Sequence, residues 1–371
     1  MDVTLVSTPP DTTSGTGQYA DALGTELRER VSLSRRFLPT DEANPLPFLR
    51  RALDAGDAET DVVHVQFDYV LFGPLGAFTL FFFPLLWLQA RRHDFAVVVT
   101  MHEVLNDALV TPPLAGTKAL YARLLNTVIA ATADRLVFLS GEAEERFLDS
   151  VGDVPRERIA HGVNLRQVRD IDADAAKREF GYDPETPLVV EPGYVSPRKG
   201  SDVFCDLAAH CPDVAFLLAG GPPRDRHTPF YDEICDRAPS NLTVTGRLPT
   251  ERFHAAIAAA DLVVLPYNET EQTGIVNAVN QSGVFNWCGA YGVPVIASDC
   301  PRFRTLRERW DAVRLFDPAD LDDAERTLRA VLDDEAELER LAEAIEDYAR
   351  EHSLAAAADD HVSLYRAVTG R

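Results

Sequence analysis

Short apolar runs alternate with helix-patterned stretches along the chain, and this alternation constrains the fold more than any single motif. Strand candidates are Val3–Ser7, Val62–Gln66, Ala96–Met101, Arg135–Leu139 and Arg158–His161. After a charged interval come Leu188–Gly193, Ala215–Ala219, Leu242–Thr245, Leu262–Pro266 and Val293–Ser298. Helical patterns fill the gaps, for example over Gln18–Arg30, Thr117–Ala131 and Glu251–Ala260. Such alternation predicts a parallel sheet covered by helices on both faces. Two sets predict two doubly wound, Rossmann-like α/β domains, over residues 1–168 and 187–350, with a charged linker over 169–186 and a terminal segment over 351–371. Tandem domains of this kind hold a ligand in the cleft faced by the carboxyl ends of their sheets. Near the C-terminus, Leu321, Ala324, Leu328, Val331 and Leu332 form a helical stripe, as do Leu338, Leu341, Ile345 and Tyr348. Ser353 reads as the N-cap of a last helix ending about Val368.

Composition narrows the function. With 371 residues, 46% of them hydrophobic, the chain can build two cores. Its net charge is −23, and only Lys118, Lys177 and Lys199 are lysines. An acidic, arginine-rich surface suits a halophilic cytoplasm, where salt screens self-repulsion. It argues against nucleic acid as a partner, since a phosphate backbone needs a basic face. Cys205, Cys211, Cys235, Cys288 and Cys300 show no C-x-x-C spacing and read as reduced, mostly buried thiols. No metal-ligand spacing appears, and "MDVTLVSTPP" has no signal-peptide pattern. Residues 69–90, "YVLFGPLGAFTLFFFPLLWLQA", carry no charge and precede Arg91-Arg92. They approach the ~20 residues of a membrane span, but Gly73, Pro74, Gly76 and Pro84 interrupt them. A buried helix is the favoured expectation, and a helix dipping one face into a membrane interface stays open.

Polar groups gather at predicted strand ends. Gly15 and Gly17 follow the first strand and open a helix, which brings backbone N–H groups near an anion or simply makes a tight turn. His64 and Asp68, His102 and Glu103, the helix-capping Ser140, and His161-Gly162 stand at the next strand ends. In the second set, Arg198-Lys199-Gly200 precede a helix near Ser201. An ammonium beside a helix N-terminus makes a diphosphate site. Further on, Gln272-Thr273-Gly274-Ile275 is echoed by Gln281-Ser282-Gly283-Val284, and each echo is followed by an Asn, Asn277 and Asn286. Counting from Pro266-Tyr267 makes the first copy the helix start; counting back from Ala290-Tyr291-Gly292 makes it the second. Only one can present its glycine at a helix N-terminus, and the downstream spacing favours Ser282-Gly283.

The elements "GTGQYADAL", "HVQFDYVLFG", "TMHEV", "IAHGVN", "GYVSPRKGSD", "LAGG", "GRLPTERFHAAIAAADLVVLPY" and "QSGVFNWCGAYGVPVIASD" resemble, in order, those of a retaining family-4 glycosyltransferase of the group 1, GT-B class. The final "HSLAAAADDHVSLYRAV" is similar to that family's terminal helix, which crosses back onto the N-terminal domain. The resemblance implies transfer of a hexose, with retention and without a metal, from a nucleotide-diphosphate sugar to a glycan or lipid-linked hydroxyl. The sugar nucleotide is then a co-substrate, and no cofactor is expected. It implies that Gly15 and Gly17 face the donor phosphates, His102 sits by the donor sugar, and Lys199 neutralises the leaving diphosphate with help from amides near Gln281, Ser282 and Gly283. The chain departs from the family at its usual Glu-x7-Glu pair, where Val279 and Trp287 stand, and at its usual Arg, where Tyr194 stands. Arg198 compensates for the Arg in this reading, and Glu269 or Glu271 for the first Glu. The chain in this respect resembles a Gln-Ser-Gly subset of the family. The alternative function is a catalytically silent GT-B protein that binds a sugar nucleotide or supports a partner transferase. The expected location is the cytoplasm, with the inner face of the cell membrane open through residues 69–90.

Overall fold

The computed structural model describes residues 1–10, 15–40, 42–105, 113–268 and 282–370. The chain divides into two compact units, Met1–Gly162 with His352–Arg371, and the described residues from Val163 to Glu351.

In the first unit β1 (Asp2–Ser7), α1 (Gly15–Arg28), β2 (Ser32–Phe37), α2 (Leu46–Leu53), β3 (Val62–Phe67), α3 (Thr79–His93), β4 (Ala96–Met101), α4 (Ala115–Thr132), β5 (Arg135–Phe138), α5 (Gly141–Val151) and β6 (Arg156–Arg158) succeed one another. All strands run parallel, in the order β2-β1-β3-β4-β5-β6. The inner strands are apolar on both faces because helices cover both: β3 "VVHVQF" is buried throughout. Ser140 accepts from the Ala143 N–H and starts α5, as its sequence position predicts. The second unit contains α6 (Ala173–Glu179), β7 (Leu188–Pro192), α7 (Ser201–His210), β8 (Ala215–Ala219), α8 (Thr228–Arg237), β9 (Leu242–Val244), α9 (Thr250–Ala258), β10 (Leu262–Leu265), α10 (Gly283–Tyr291), β11 (Val295–Ser298), α11 (Pro301–Trp310), β12 (Arg314–Phe316), α12 (Leu321–Leu332) and α13 (Glu335–Glu351). Its parallel order is β12-β11-β10-β7-β8-β9. The order therefore reverses between β7 and β10, the topological switch point at which open α/β sheets bind ligands.

The last helix, α14 (Leu354–Thr369), belongs to the first unit. Ser353 caps it by accepting from the Ala356 N–H. Leu354, Ala358, Val362 and Tyr365 share a core with Val3, Tyr19, Leu23 and Leu27. Gly162 is required beneath it, since a Cβ there would stand 2.6 Å from Leu354.

Several local expectations are corrected. Two strands, β2 and β12, had no apolar run to announce them, and the last strand of the first sheet lies at Arg156–Arg158, not Arg158–His161. Within 69–90 the helix begins only at Thr79; before it stand two 3-10 turns, Tyr69–Leu71 and Pro74–Gly76. The segment is half-exposed rather than buried, because Pro84 and the long apolar side chains around it include Phe81 and Leu88 on the solvent side. Among the described residues no helix is long and apolar enough to cross a membrane. The stretch 169–186 contains α6, whose Lys177 is buried and bonds the Pro184 and Thr186 carbonyls and Asp261. A rare lysine is thus also used structurally here, where a compact ammonium can reach three acceptors at once.

Candidate active site

The second unit gathers Arg198, Lys199, Ser282 and Gly283 at its switch point. Lys199 ends the turn after β7. Its Nζ donates to the Tyr267 hydroxyl at 2.5 Å and stands 3.8 Å from the Tyr267 ring centre. Tyr267 follows β10, so the two groups come from the two strands that flank the reversal. The Tyr267 hydroxyl continues to Ser282 Oγ at 2.8 Å. Ser282 is the N-cap of α10, accepting from the Phe285 N–H, and Gly283 is the first residue of that helix. The second copy of the repeated element therefore starts a helix; the first copy lies outside the described residues, as do Glu269, Glu271 and Gln281. Among the described residues a Cβ at Gly283 would meet nothing within 4 Å.

Burial, and then the charges of Arg198 and Arg302, hold the Lys199 ammonium well below the ordinary lysine range. Arg302 also lies 5.4 Å from the Tyr267 ring centre. Beneath them Glu191, buried on β7, accepts from Ser201 Oγ at 2.7 Å, and burial pushes its carboxyl up to about 8. Near neutral pH Glu191 is then protonated and subtracts little from the positive field. The site combines cationic side chains with the N-termini of α7 and α10, whose free N–H groups and dipoles favour an anion.

Gly200 makes this arrangement possible. Its φ is +73°, and a Cβ there would stand 1.7 Å from the Pro266 carbonyl oxygen. The close approach of α7 to the end of β10 is what sets Lys199 on Tyr267. Gly200→Ala is expected to destabilise the second unit by at least about 3 kcal/mol, measured by denaturant unfolding; an unchanged midpoint would contradict the close approach.

In the first unit Gly15 and Gly17 start α1, and His102 lies against Tyr19 of the same helix. Both glycines fall in the first turn of α1. Two residues later Tyr19 meets His161 at a ring-centre distance of 4.3 Å and His102, edge-on, at 5.2 Å. His102 follows β4, and its Nε2 lies 2.7 Å from Gln66 Oε1. An amide oxygen only accepts, so His102 carries its proton on Nε2 and presents Nδ1 as an acceptor. The Gln66 amide nitrogen lies 3.0 Å from His64 Nε2, and His64 Nδ1 lies 2.6 Å from the Tyr365 hydroxyl on α14. Burial holds His102 down to about 3 and His161 to about 4. The imidazoles are therefore neutral hydrogen-bonding groups. Asp68, half-buried, has its carboxyl raised by desolvation, against the Val70 N–H that donates to it.

Reading the sequence missed Tyr267, Glu191, Gln66 and Tyr19. Their signal was position alone: each lies at a strand's carboxyl end or within the first two turns of a helix that follows one. Asn286 proves structural, accepting from the Tyr348 hydroxyl at 3.2 Å. Trp287, at the place of the second family Glu, packs on His254 with ring centres 4.4 Å apart. Tyr194, at the place of the family Arg, is exposed. Among the described residues no group of three or more His, Cys, Asp or Glu is arranged to hold a metal ion.

Residues 1–161 match the glycosyl transferase 4-like domain, and residues 186–334 match the glycosyl transferases group 1 model. The D-inositol 3-phosphate glycosyltransferase of Mycolicibacterium smegmatis is 28% identical over 320 residues, covering 79% of this chain and 67% of that protein. The alpha-galactosylglucosyldiacylglycerol synthase of Streptococcus pneumoniae is 29% identical over 165 residues, 42% of this chain and 41% of that one. The matched stretch thus spans between 41% and 67% of the length of these relatives. Among solved structures, the sucrose-phosphate synthase of Thermosynechococcus elongatus superposes with a TM-score of 0.77 at 18% identity, over 100% of this chain and 99% of that one. Anabaena HepE in complex with UDP and glucose superposes with a TM-score of 0.74 at 13% identity, over 99% and 100% of the two chains. These likenesses identify the fold as GT-B.

Proposed function

We propose that this chain, a glycosyltransferase built of a 4-like and a group 1 domain, moves a hexose from a nucleotide-diphosphate sugar to a hydroxyl of a glycan or lipid-linked acceptor, with retention of anomeric configuration and without a metal. The observation that carries the reading is Lys199, half-buried against Tyr267 at the switch point and tied through it to the N-cap of α10. As the bond from the sugar's anomeric carbon to the diphosphate breaks, negative charge grows on the leaving oxygen. Lys199, Arg198 and the amides at Ser282 and Gly283 meet that charge with no reorganisation, which is where electrostatic catalysis is strongest. A metal is then not needed to neutralise it. Gly15 and Gly17 offer amides to the donor phosphates, and His102 offers a neutral Nδ1 to a sugar hydroxyl. Glu269 or Glu271, with Gln281, takes the place of the family's Glu pair, as in the Gln-Ser-Gly subset. The protein works in a cytoplasm of high salt, at the inner face of the cell membrane. Support comes from a relative named for inositol phosphate, another named for a diacylglycerol product, and a structural neighbour solved with UDP.

A second reading, a catalytically silent GT-B protein that binds a sugar nucleotide, is favoured by Trp287 and Tyr194 at two positions the family uses for ligand contacts. Turnover separates the two. With a panel of nucleotide sugars in molar potassium chloride, transfer is expected to continue in excess EDTA and to give a product whose anomeric configuration, read by NMR, matches the donor. A strict requirement for manganese, or an inverted product, overturns the mechanism; donor binding with no transfer to any acceptor favours the silent reading.

A further inference from the structure

Three neighbouring helices of the first unit carry no acid. In α2, "LPFLRRAL", α3, "TLFFFPLLWLQARRH", and α4, "AGTKALYARLLNTVIAAT", there is no Asp or Glu, while Arg50, Arg51, Arg91, Arg92, Lys118 and Arg123 are present. The chain as a whole has 59 acidic residues against 36 basic ones, so their absence from these three helices is a departure, the acids beside them being the C-caps Asp54 of α2 and Asp94 of α3. The next helix, α5, has Glu142, Glu144, Glu145 and Asp149. The acid-free helices are neighbours. Phe48 of α2 meets Phe78, at the start of α3, with ring centres 5.0 Å apart. Tyr121 of α4 donates to the Leu75 carbonyl in the turn before α3 at 3.2 Å.

The outward side of this layer is apolar. On α3 the exposed residues are Phe81, Pro84, Trp87, Leu88, Arg91 and Arg92, one helical stripe that runs from apolar to cationic. Arg91 lies over the Trp87 ring at 5.4 Å. On α4, Leu120, Arg123 and Leu124 face out together, and on α2, Leu46, Arg50 and Leu53. At the tip before α3, Leu75 is 84% exposed and held at a φ of +54°. A surface helix of an α/β protein normally turns its charges outward; this layer turns out leucines, phenylalanine and tryptophan edged with arginine.

We propose that the α2–α3–α4 layer docks on an anionic membrane surface, its apolar side chains in the interface and its arginines on lipid phosphates. A protein of charge −23 is repelled by such a surface everywhere except where its carboxylates are missing. Apolar side chains beside Trp and Arg are the chemistry of an interfacial helix. A second copy packed on this same face would match the apolar stripe but would set arginine against arginine with no acid in any of the three helices. The proposal rests on the peripheral placement proposed above and deepens it by naming the surface and the lipid. Vesicle binding is read with no donor or acceptor, so its failure leaves the transfer reaction standing.

The test is co-sedimentation of the full chain with vesicles of phosphatidylcholine, alone or mixed with phosphatidylglycerol. Binding is expected to the anionic vesicles, with a blue shift of Trp87 emission. At low ionic strength Arg91→Glu with Arg92→Glu should weaken it by more than about 20-fold, at roughly fivefold or more per cation. In molar potassium chloride the screening length falls to about 3 Å, and there Phe81→Ser with Leu88→Ser should weaken residual binding at least about tenfold. All four positions are exposed, and equal melting of variants and wild type confirms their folding. Absence of binding, or variants that bind as wild type does, overturns the surface. Equal binding to both vesicle types overturns the choice of anionic headgroups. A wild-type dimer in light scattering that becomes monomeric in the serine variant overturns the membrane in favour of a second copy.

Discussion

Lys199→Ala is expected to lower turnover by about 10²- to 10³-fold, the cost of losing one preorganised group at a developing oxyanion, while nucleoside-diphosphate binding weakens less. The charge that Lys199 meets grows as the sugar leaves, so the transition state loses more than the ground state. A second readout belongs to Lys199 alone. Burial, with Arg198 and Arg302, depresses its ammonium in the free protein. A bound diphosphate raises it again, so at any pH between the free and the bound values binding takes up a proton. Affinity is then full at pH values below the depressed free-protein pKa and falls as pH rises through the interval up to the bound-state value. Calorimetry in buffers of different ionisation enthalpy should show proton uptake in the wild type and lose it in Lys199→Ala. Equal turnover, or equal proton uptake in both, removes the proposed role. Tyr267→Phe should cost less, since it removes the link to Ser282 but leaves the cation.

What the sequence made legible follows from where signals are written. Inner strands such as β3 and β8 are buried on both faces, so they appear as unbroken apolar runs. Edge strand β2, "SLSRRF", is half-exposed, and its extended form comes from pairing residue by residue with β1. Nothing within it marks a strand. The same holds for β12, "RLF", and for the displaced β6, "RER". The site divides likewise. Ser282 and Gly283 were readable because a cap and a helix-starting glycine are local devices. Tyr267 was not, because its role depends on the register that brings the end of β10 beside the turn after β7, a pairing between residues 68 apart. The rarity of lysine was a weaker guide than it looked: Lys177, equally rare, is a structural cation.

The buried histidines predict the largest change in stability. His361 on α14 is fully buried, 4.9 Å from His64 between ring centres, and neither of its ring nitrogens has a hydrogen-bond partner among the described residues. Burial holds His361 and His102 to about 3 and His161 to about 4. Burial, with His361 and His102 nearby, also holds His64 well below the ordinary range. The unfolded chain therefore binds more protons than the folded one at mildly acid pH. The stability these groups allow is fully present above the unfolded value near 6.5, and it is lost as pH falls from there toward the folded values. Each such group gives up about 1.4 kcal/mol per pH unit. His361, with no exposed surface, gives up on the order of 3 kcal/mol by about pH 4, a sizeable share of the stability of a domain. Protonation of the many carboxylates relieves repulsion over the same range and opposes this loss. A single substitution separates the two. His361→Leu removes one buried basic group and two unpartnered nitrogens while leaving every carboxylate in place. It should raise the melting temperature at pH 7 and move the acid unfolding midpoint of the first unit to lower pH, followed by urea melts between neutral and acid pH. A variant that unfolds at the wild-type midpoint would mean that His361 is not the neutral, desolvated group that its position on the buried side of α14 makes it.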